Sequence, residues 1–348
     1  MHPRSFLSQV RPVAAALFAG AVGAVLGWAS GVPAPFLTGP AAVVTAVSLW
    51  GVETHIPDWL RNTCFVMIGL SLGAGITPEV VASLPQWPVP LVTLTLGLVL
   101  IVFGGGALVQ RMFGFDAATA RLTAMPGHLS FVIALSASIR SDVRVVTVIQ
   151  SLRVLLLTLV VPVVVALASD ADLSMTAPIT ETLDLATMLL LAVLGVALGL
   201  VFLRLKVPAA LVMAGMAVSG LAHGAGWVTG APPAWVAIPT FTIMGSLIGT
   251  RFNGVTFALI ARAAAASGVL TGLAVAVTLG AALFVRAVTD LPLTDLLIAF
   301  APGGLETMAA LSIMLGADPA FTAAHHIYRR LFLSVLAPLA IAKIGKPD

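Results

Sequence analysis

One segment of the chain is present twice, and the two copies keep a constant spacing of 176 residues over about a hundred positions. Each copy contains a Pro-Gly pair, followed by an aspartate, an arginine and a proline at the same intervals. A duplicated unit of this length predicts a fold made of two similar halves. The matched residues include Phe65/Phe241, Gly69/Gly245, Gly73/Gly249, Pro126/Pro302, Gly127/Gly303, Asp142/Asp318, Arg153/Arg329 and Pro162/Pro338.

The composition predicts a membrane protein, because hydrophobic residues make up 59% of the chain and charged residues only 9%. A soluble protein needs about a quarter of its residues charged to cover its surface. The net charge of +3 comes from basic residues scattered singly at the ends of apolar segments, so we predict no nucleic-acid partner. Cys64 is the single cysteine, which excludes an internal disulfide.

The apolar segments predict an all-α polytopic membrane protein with two tandem repeats. The first repeat covers residues 1–168 and the second covers 185–348, and an acidic linker at 169–184 joins them. About five apolar segments in each repeat are long enough to be spans of roughly 20 residues. Each repeat also contains a shorter stretch that a Pro-Gly pair interrupts. The spans are predicted near 12–29, 35–51, 60–76, 89–110, 144–168, 185–203, 208–226, 236–250, 266–288 and 320–342, and the broken stretches at 120–139 and 295–316.

The positive-inside rule favours an inverted arrangement of the two repeats. If the broken stretches enter and leave on one side, each repeat crosses five times, both termini are cytoplasmic, and most of the 17 lysine and arginine residues lie inside. If the broken stretches cross instead, the repeats are parallel and several of these residues move outside. We therefore predict inverted repeats in a bacterial inner membrane, with the linker outside.

The two Pro-Gly breaks are the first candidate site. Pro126-Gly127 and Pro302-Gly303-Gly304 interrupt apolar helices, because proline lacks the amide donor and glycine loosens the backbone. Broken helices at matching positions of two repeats are typical of transporter substrate sites, where half-helix ends bind ions. The alternative interpretation is a simple proline kink.

Arg153 and Arg329 form the second candidate site. Each arginine lies about ten residues into its helix, near the middle of a bilayer, where a charge is costly and is a functional candidate by default. Two arginines from related repeats can converge on one anion, and their forked donors suit a carboxylate. The alternatives are an ion pair with Glu306 or a clamp on backbone carbonyls.

Glu306 and His128 are the candidate groups for coupling to protons or Na⁺, since each lies close to one Pro-Gly break. Glu306 can instead be a counter-ion for Arg329 or Arg330, and His128 can simply cap exposed carbonyls. Asp142 and Asp318 precede helices and are predicted to be N-caps. His325 and His326 are adjacent and point apart on a helix, so we predict no metal site, and no cofactor motif is present.

The tandem halves, the Met125-Pro126-Gly127-His128 and Ala301-Pro302-Gly303-Gly304 segments, and the Asp-Arg-Pro spacing after each resemble the AbrB-duplication family of bacterial membrane proteins. The resemblance covers essentially the whole chain. Members of that family are labelled as AbrB family transporters, as regulators of gene expression or as ammonia monooxygenases. The resemblance implies no site residues beyond the paired Pro-Gly segments.

The sequence thus favours a secondary transporter of a small anionic solute, which works by alternating access between the two repeats with H⁺ or Na⁺ coupling. We do not predict an enzyme, because no His, Asp or Met cluster can hold the copper or iron of a monooxygenase. The alternative is a membrane sensor or regulator of gene expression that acts indirectly and transports nothing. The predicted partners are the solute, the coupling ion and the lipid bilayer, and a homo-oligomer is an open alternative to a single chain.

Overall fold

A computed structural model gives the architecture, and it describes residues 6–76, 85, 87–126, 132, 135–136, 139, 141–168, 181–207 and 209–341. These residues form helices joined by short loops, with no strand among them, which confirms the predicted all-α polytopic class. The helices are α1 Phe6–Ala29, α2 Pro35–Leu49, α3 Asp58–Ala74, α4 Pro88–Phe113, α5 Ala117–Ala124, α6 Val143–Ala168, α7 Leu185–Arg204, α8 Ala210–Gly224, α9 Ala234–Gly249, α10 Phe257–Val288, α11 Leu293–Phe300, α12 Leu305–Met314 and α13 Pro319–Ile341.

Helix length divides the predicted spans into two groups. Among the described residues, five helices are long and apolar enough to cross a membrane, namely α4, α6 and the segments Val10–Ala29, Leu185–Arg204 and Ala263–Val288. The helices α2 and α8 have 15 residues each, α9 has 16 and α3 has 17, so they are shorter than the roughly 20 residues that we expected. A short helix of this kind is compatible with a membrane when other helices surround it.

The broken stretch of the second half folds back on itself. Helix α11 ends at Phe300, the chain is irregular at Ala301–Gly304, and α12 begins at Leu305. The amide of Asp318 donates a hydrogen bond of 2.9 Å to the carboxylate of Asp295, near the start of α11. The segment therefore enters the protein and returns to the level at which it began.

The first half has the corresponding contact 176 residues earlier. The amide of Asp142 donates a hydrogen bond of 2.9 Å to the hydroxyl of Thr119, near the start of α5. Helix α5 ends at Ala124, and Met125 and Pro126 continue in an irregular conformation. This stretch, like its counterpart, begins and ends at the same level of the protein.

Glycines allow the closest contacts between the two sequence halves. A Cβ atom on Gly73 of α3 would lie 2.6 Å from the amide nitrogen of Gly220 in α8, and one on Gly249 of α9 would lie 2.7 Å from the amide nitrogen of Thr45 in α2. The glycines that the sequence pairs as repeat equivalents thus lie where α3 packs on α8 and where α9 packs on α2. Helices can approach this closely only because these positions lack side chains.

Loop contacts define two ends of the helix bundle. At the Thr54 end, the amide of His55 donates to Pro12 of α1 at 3.0 Å, and the amide of Thr54 donates to the side chain of Asn253, just after α9, at 3.1 Å. At the Ala231 end, the amide of Leu183, before α7, donates to Ala231 at 3.0 Å. Helix α3 therefore starts at the Thr54 end, whereas α9 starts at the Ala231 end and finishes at the Thr54 end.

Candidate functional site

Both candidate arginines are buried at the centre of long helices. Arg153 of α6 is 2% exposed and Arg329 of α13 is 1% exposed, and they are the largest fully buried side chains among the described residues. A guanidinium group that is removed from water needs hydrogen-bond acceptors, so the acceptors around it show what it does structurally.

Arg153 binds the carbonyls at the end of α5. Its Nη1 donates to the carbonyl oxygen of Thr123 at 2.8 Å and to that of Met125 at 3.2 Å. Gln150, one turn earlier on α6, donates from Nε2 to Leu122 at 2.8 Å and to Met125 at 2.9 Å. These carbonyls have no intrahelical donor because the helix stops before Pro126. The two side chains thus satisfy the broken end of the helix.

Arg329 binds the corresponding break in the second half. Its Nη1 donates to the carbonyl oxygen of Ala301 at 2.6 Å, and its Nη2 donates both to the carbonyl oxygen of Gly303 and, at 2.7 Å, to Nδ1 of His326. The Nε2 atom of His326 lies 3.1 Å from the carbonyl oxygen of Ile298. Since a carbonyl only accepts, Nε2 carries the proton and His326 is neutral in this arrangement.

Two contacts of each set correspond at the repeat spacing of 176 residues. An arginine and a second polar side chain three residues before it bind the last carbonyls of a broken helix in both halves. Sequence reasoning identified the arginines but missed Gln150 and His326. The available signal was a polar residue on the same face of an apolar helix as each arginine. The residues that correspond in these contacts are Leu122/Ile298, Met125/Ala301, Gln150/His326 and Arg153/Arg329.

The carbonyl clamp that the sequence left open as an alternative is therefore present at both arginines. An anion-binding role for the same arginines stays a prediction. One difference separates the halves: Nη2 of Arg153 is buried and has no hydrogen-bond partner among the described residues, whereas Nη2 of Arg329 binds the second break. The Nε atom of Arg153 also has no partner among the described residues. Arg153 thus keeps two donors in the fork geometry that a carboxylate can accept.

The remaining predicted site residues are described only in part. Pro126, Pro302 and Gly303 are buried and Gly304 is half-buried, all at the two breaks. Gly127, His128 and the side chain of Glu306 lie outside the described part of the chain. The roles predicted for them stay predictions.

The predicted helix caps are confirmed. The carboxylate of Asp142 accepts from the amide of Val145 at 3.0 Å, and that of Asp318 accepts from the amides of Ala320 and Phe321 at 2.8 and 3.0 Å. Within the described residues, no group of three or more histidine, cysteine, aspartate or glutamate side chains could hold a metal ion.

An apolar cleft adjoins the second break. It lies between α6 of the first half and α10 of the second, and the break itself closes one side of it. The hydroxyl of Thr278 donates to the carbonyl oxygen of Phe300 at 3.3 Å at this point. The lining residues that matter here are Leu157, Val161, Val275, Thr278, Ala301 and Pro302. The break of one half is thus in contact with a long helix of the other.

Comparison with known proteins agrees with the family suggested by the motifs. YhjN of Bacillus subtilis (strain 168), an uncharacterized protein, is 27% identical over 300 residues, which cover 78% of this chain and 75% of that protein. The protein named "Putative regulator AbrB" of Escherichia coli (strain K12) is 24% identical over 314 residues, which cover 89% of this chain and 90% of that protein. The family model AbrB, described as transition state regulatory protein AbrB, matches residues 2–75 and 36–345. The chain therefore belongs to the AbrB family of membrane proteins.

Proposed function

We propose that the protein is a secondary transporter of a small anionic solute, which works by alternating access and is coupled to H⁺ or Na⁺. The observation that carries this proposal is the pair of broken helices, each folded back to its starting level and each held at its break by a buried arginine. Such breaks survive in a membrane when protein or a water-filled cavity surrounds them, and they are typical of transporter sites.

The directions of the helices support inverted repeats. Helix α3 runs from the Thr54 end to the Ala231 end, and its repeat equivalent α9 runs the opposite way. Along α3 and α8, Gly69 lies near Gly215 while Gly73 lies near Gly220, so these two helices are parallel. Since α8 is the equivalent of α2, and α2 runs towards the Thr54 end, this pair also runs in opposite directions, as inverted repeats require.

The distribution of charge supports a cytoplasmic position for the Thr54 end. Its helix ends carry basic side chains, among them Arg11, Arg61, Arg204, Lys206 and Arg251. The described part of the Ala231 end carries Glu181 and Asp184 beside α7, no lysine or arginine between α8 and α9, and Arg286 near the end of α10. This is the distribution that the positive-inside rule predicts for a bacterial inner membrane.

Two cysteine variants test the inversion directly. Glu53 and Thr229 are exposed, lie 176 residues apart and follow equivalent helices. In a Cys64→Ala background, we expect Glu53→Cys to react with a membrane-impermeant maleimide only after the cells are opened, and Thr229→Cys to react in intact cells. Labelling of both residues from the same side would contradict the inverted arrangement.

The unpartnered donors of Arg153 support this residue as the anion anchor. A carboxylate can accept from Nε and Nη2 together, as two parallel hydrogen bonds, without displacing the bonds that Nη1 makes to Thr123 and Met125. In contrast, Nη1 and Nη2 of Arg329 are both used by the second break. We propose that Arg153 binds the anion and that Arg329 orients the backbone beside it.

A stability screen tests the anion anchor. We expect one or more small carboxylates to raise the thermal unfolding temperature of the purified protein, and Arg153→Lys to lose that shift, because an ammonium group cannot reproduce the planar fork. Arg61→Lys is the matched control, since Arg61 pairs with Asp58 at the surface and should keep the shift. An equal shift in Arg153→Lys would exclude the anchor.

Transport itself requires flux through sealed vesicles. We expect a carboxylate found in the screen to exchange across proteoliposomes in a manner that depends on an ion gradient. No enzymatic activity and no cofactor are part of this proposal. Glu306 and His128 remain the proposed coupling groups nearest the two breaks, and a homo-oligomer remains open.

The printed name of the E. coli relative supports a second candidate function, that of a membrane sensor or regulator that acts indirectly on gene expression. Both functions use the same buried site. Binding of a solute in the stability screen without any exchange in proteoliposomes would favour the sensor. Gradient-dependent exchange would favour the transporter.

A further inference from the structure

We infer that His325 is a proton-binding site that couples protonation from the Ala231 end to the broken helix of the second half. The inference rests on the proposed function, because it identifies the coupling ion as H⁺ and names a carrier other than Glu306 or His128. It concerns a residue that the helix pattern alone assigned no role.

His325 has one ring nitrogen that is used and one that is not. The side chain of His325 is 0% exposed. Its Nδ1 atom lies 2.8 Å from the carbonyl oxygen of Phe321, so Nδ1 carries the ring hydrogen and donates a hydrogen bond to that oxygen. Nε2 is therefore a lone-pair acceptor, and it is buried with no partner among the described residues. A buried acceptor without a donor is costly, and Nε2 is the ring atom at which a proton can bind without breaking a hydrogen bond.

Three aromatic rings surround the imidazole of His325. The ring centroid of Phe321 lies 4.0 Å away, that of Trp87 lies 5.8 Å away, and that of Phe300 lies 6.1 Å away. Aromatic faces attract a cation within about 6 Å of their centroid, and an imidazolium is such a cation. The three aromatic rings would therefore offset part of the hydration energy that a charged His325 loses in the buried site.

The neighbouring histidine provides an internal contrast. His326 uses both ring nitrogens, one as an acceptor from Arg329 and the other as a donor to Ile298. Protonation of His326 would therefore break its bond with Arg329 and place two cations side by side. Protonation of His325 at Nε2 would break no hydrogen bond among the described residues.

Two acidic groups lie between the Ala231 end and His325, where they would favour the entry of a proton from that end. The helix α13 carries Asp318 at its start, about 10 Å before His325 at 1.5 Å per residue, and the packed helix α11 contributes Asp295, which binds the amide of Asp318. Both acids favour a proton nearby, whereas Arg329 and Arg330 oppose it from the next turn. Of the other helices packed on α13, α3 carries Asp58 and Arg61, α4 carries Arg111 and α5 carries Arg121, all towards the Thr54 end, where Arg121 binds Ala340 of α13. Helix α12 carries Glu306, whose side chain lies outside the described part of the chain.

The position of Phe300 links this site to the break. Phe300 is the last residue of α11, and the next residue, Ala301, is held by Arg329. A charge on His325 would therefore act on the ring of Phe300, directly before the irregular segment. The first half has Ile149 and Thr119 at the positions of His325 and Asp295, so only the second half contains this site.

Trp87 provides a built-in probe for the experiment. The variant used retains Trp87 and has the other five tryptophans replaced by phenylalanine, since those lie exposed at other places in the fold. A protonated imidazole quenches indole fluorescence on contact, so we expect the emission of Trp87 to fall as the pH is lowered. We expect this transition to be lost in His325→Gln and kept in His326→Gln.

Emission that does not depend on pH, or a transition that is unchanged in His325→Gln, would overturn the inference. Near-ultraviolet circular dichroism of each variant at the highest pH identifies any that fails to fold, and His325→Asn then serves as the second test. The titration needs no solute. A failure of transport with an intact titration would therefore refute the transporter proposal and leave the proton site standing.

Discussion

Replacement of Arg329 with methionine is expected to destabilise the protein strongly. The carbonyl oxygens of Ala301 and Gly303, together with Nδ1 of His326, would lose the arginine donor while they stay buried. Each buried polar group left without a partner costs about 1–3 kcal/mol. Methionine fills a similar volume, so the loss measured by unfolding in a denaturing detergent reports the missing hydrogen bonds rather than a cavity.

The equivalent substitution in the first half is a matched comparison. In Arg153→Met, the carbonyl oxygen of Met125 keeps a donor, because Gln150 also binds it at 2.9 Å. We therefore expect a smaller loss of stability for Arg153→Met than for Arg329→Met. The double variant Gln150→Leu with Arg153→Met should restore the larger loss.

A surface control separates these effects from the removal of charge alone. Arg61 forms an exposed ion pair with Asp58 at 3.0 Å, and such pairs contribute about 0–1 kcal/mol. Arg61→Met should accordingly unfold close to the parent protein. If Arg329→Met were as stable as Arg61→Met, the clamp would not hold the break and a different partner would have to satisfy Ala301 and Gly303.

The repeat spacing explains how much of the site the sequence could predict. A spacing of 176 residues relates the main local features of one half to those of the other, which is why the Pro-Gly breaks, the caps at Asp142 and Asp318 and the depth of the two arginines follow from residue types. These features depend on the chain within about 30 residues, where helix geometry sets the relative position of side chains.

Contacts between the halves lie beyond sequence reasoning of this kind. The cage of His325 combines Trp87, the residue before α4, with two rings from the second half, and no periodicity in one helix contains that information. The same limit applies to the short helices. Apolar composition predicted full spans at α2, α3, α8 and α9, but these helices have only 15–17 residues and pack tightly in pairs.

A single methyl group at a contact between the halves is expected to be the second most damaging change. In Gly73→Ala, the new Cβ would lie 2.6 Å from the backbone nitrogen of Gly220 and equally close to the carbonyl oxygen of Met216, so α3 and α8 must separate. Overpacking of this kind costs about 1–3 kcal/mol, which exceeds the gain of up to about 1 kcal/mol that alanine brings to a helix. We expect Gly249→Ala at the equivalent contact to behave alike.

Gly272 offers the matched control, because a Cβ atom built on this residue of α10 meets nothing within 4 Å. Gly272→Ala should therefore unfold at the same temperature as the parent or slightly above it. Equal stability of Gly73→Ala and Gly272→Ala would contradict the close packing of α3 on α8. The tight packing also bears on mechanism. Helices α2, α3, α8 and α9 join the two halves so closely that we expect them to keep their relative positions. Under the proposed transporter function, the movements of alternating access would belong to the broken helices and to α6 and α13, which hold their breaks.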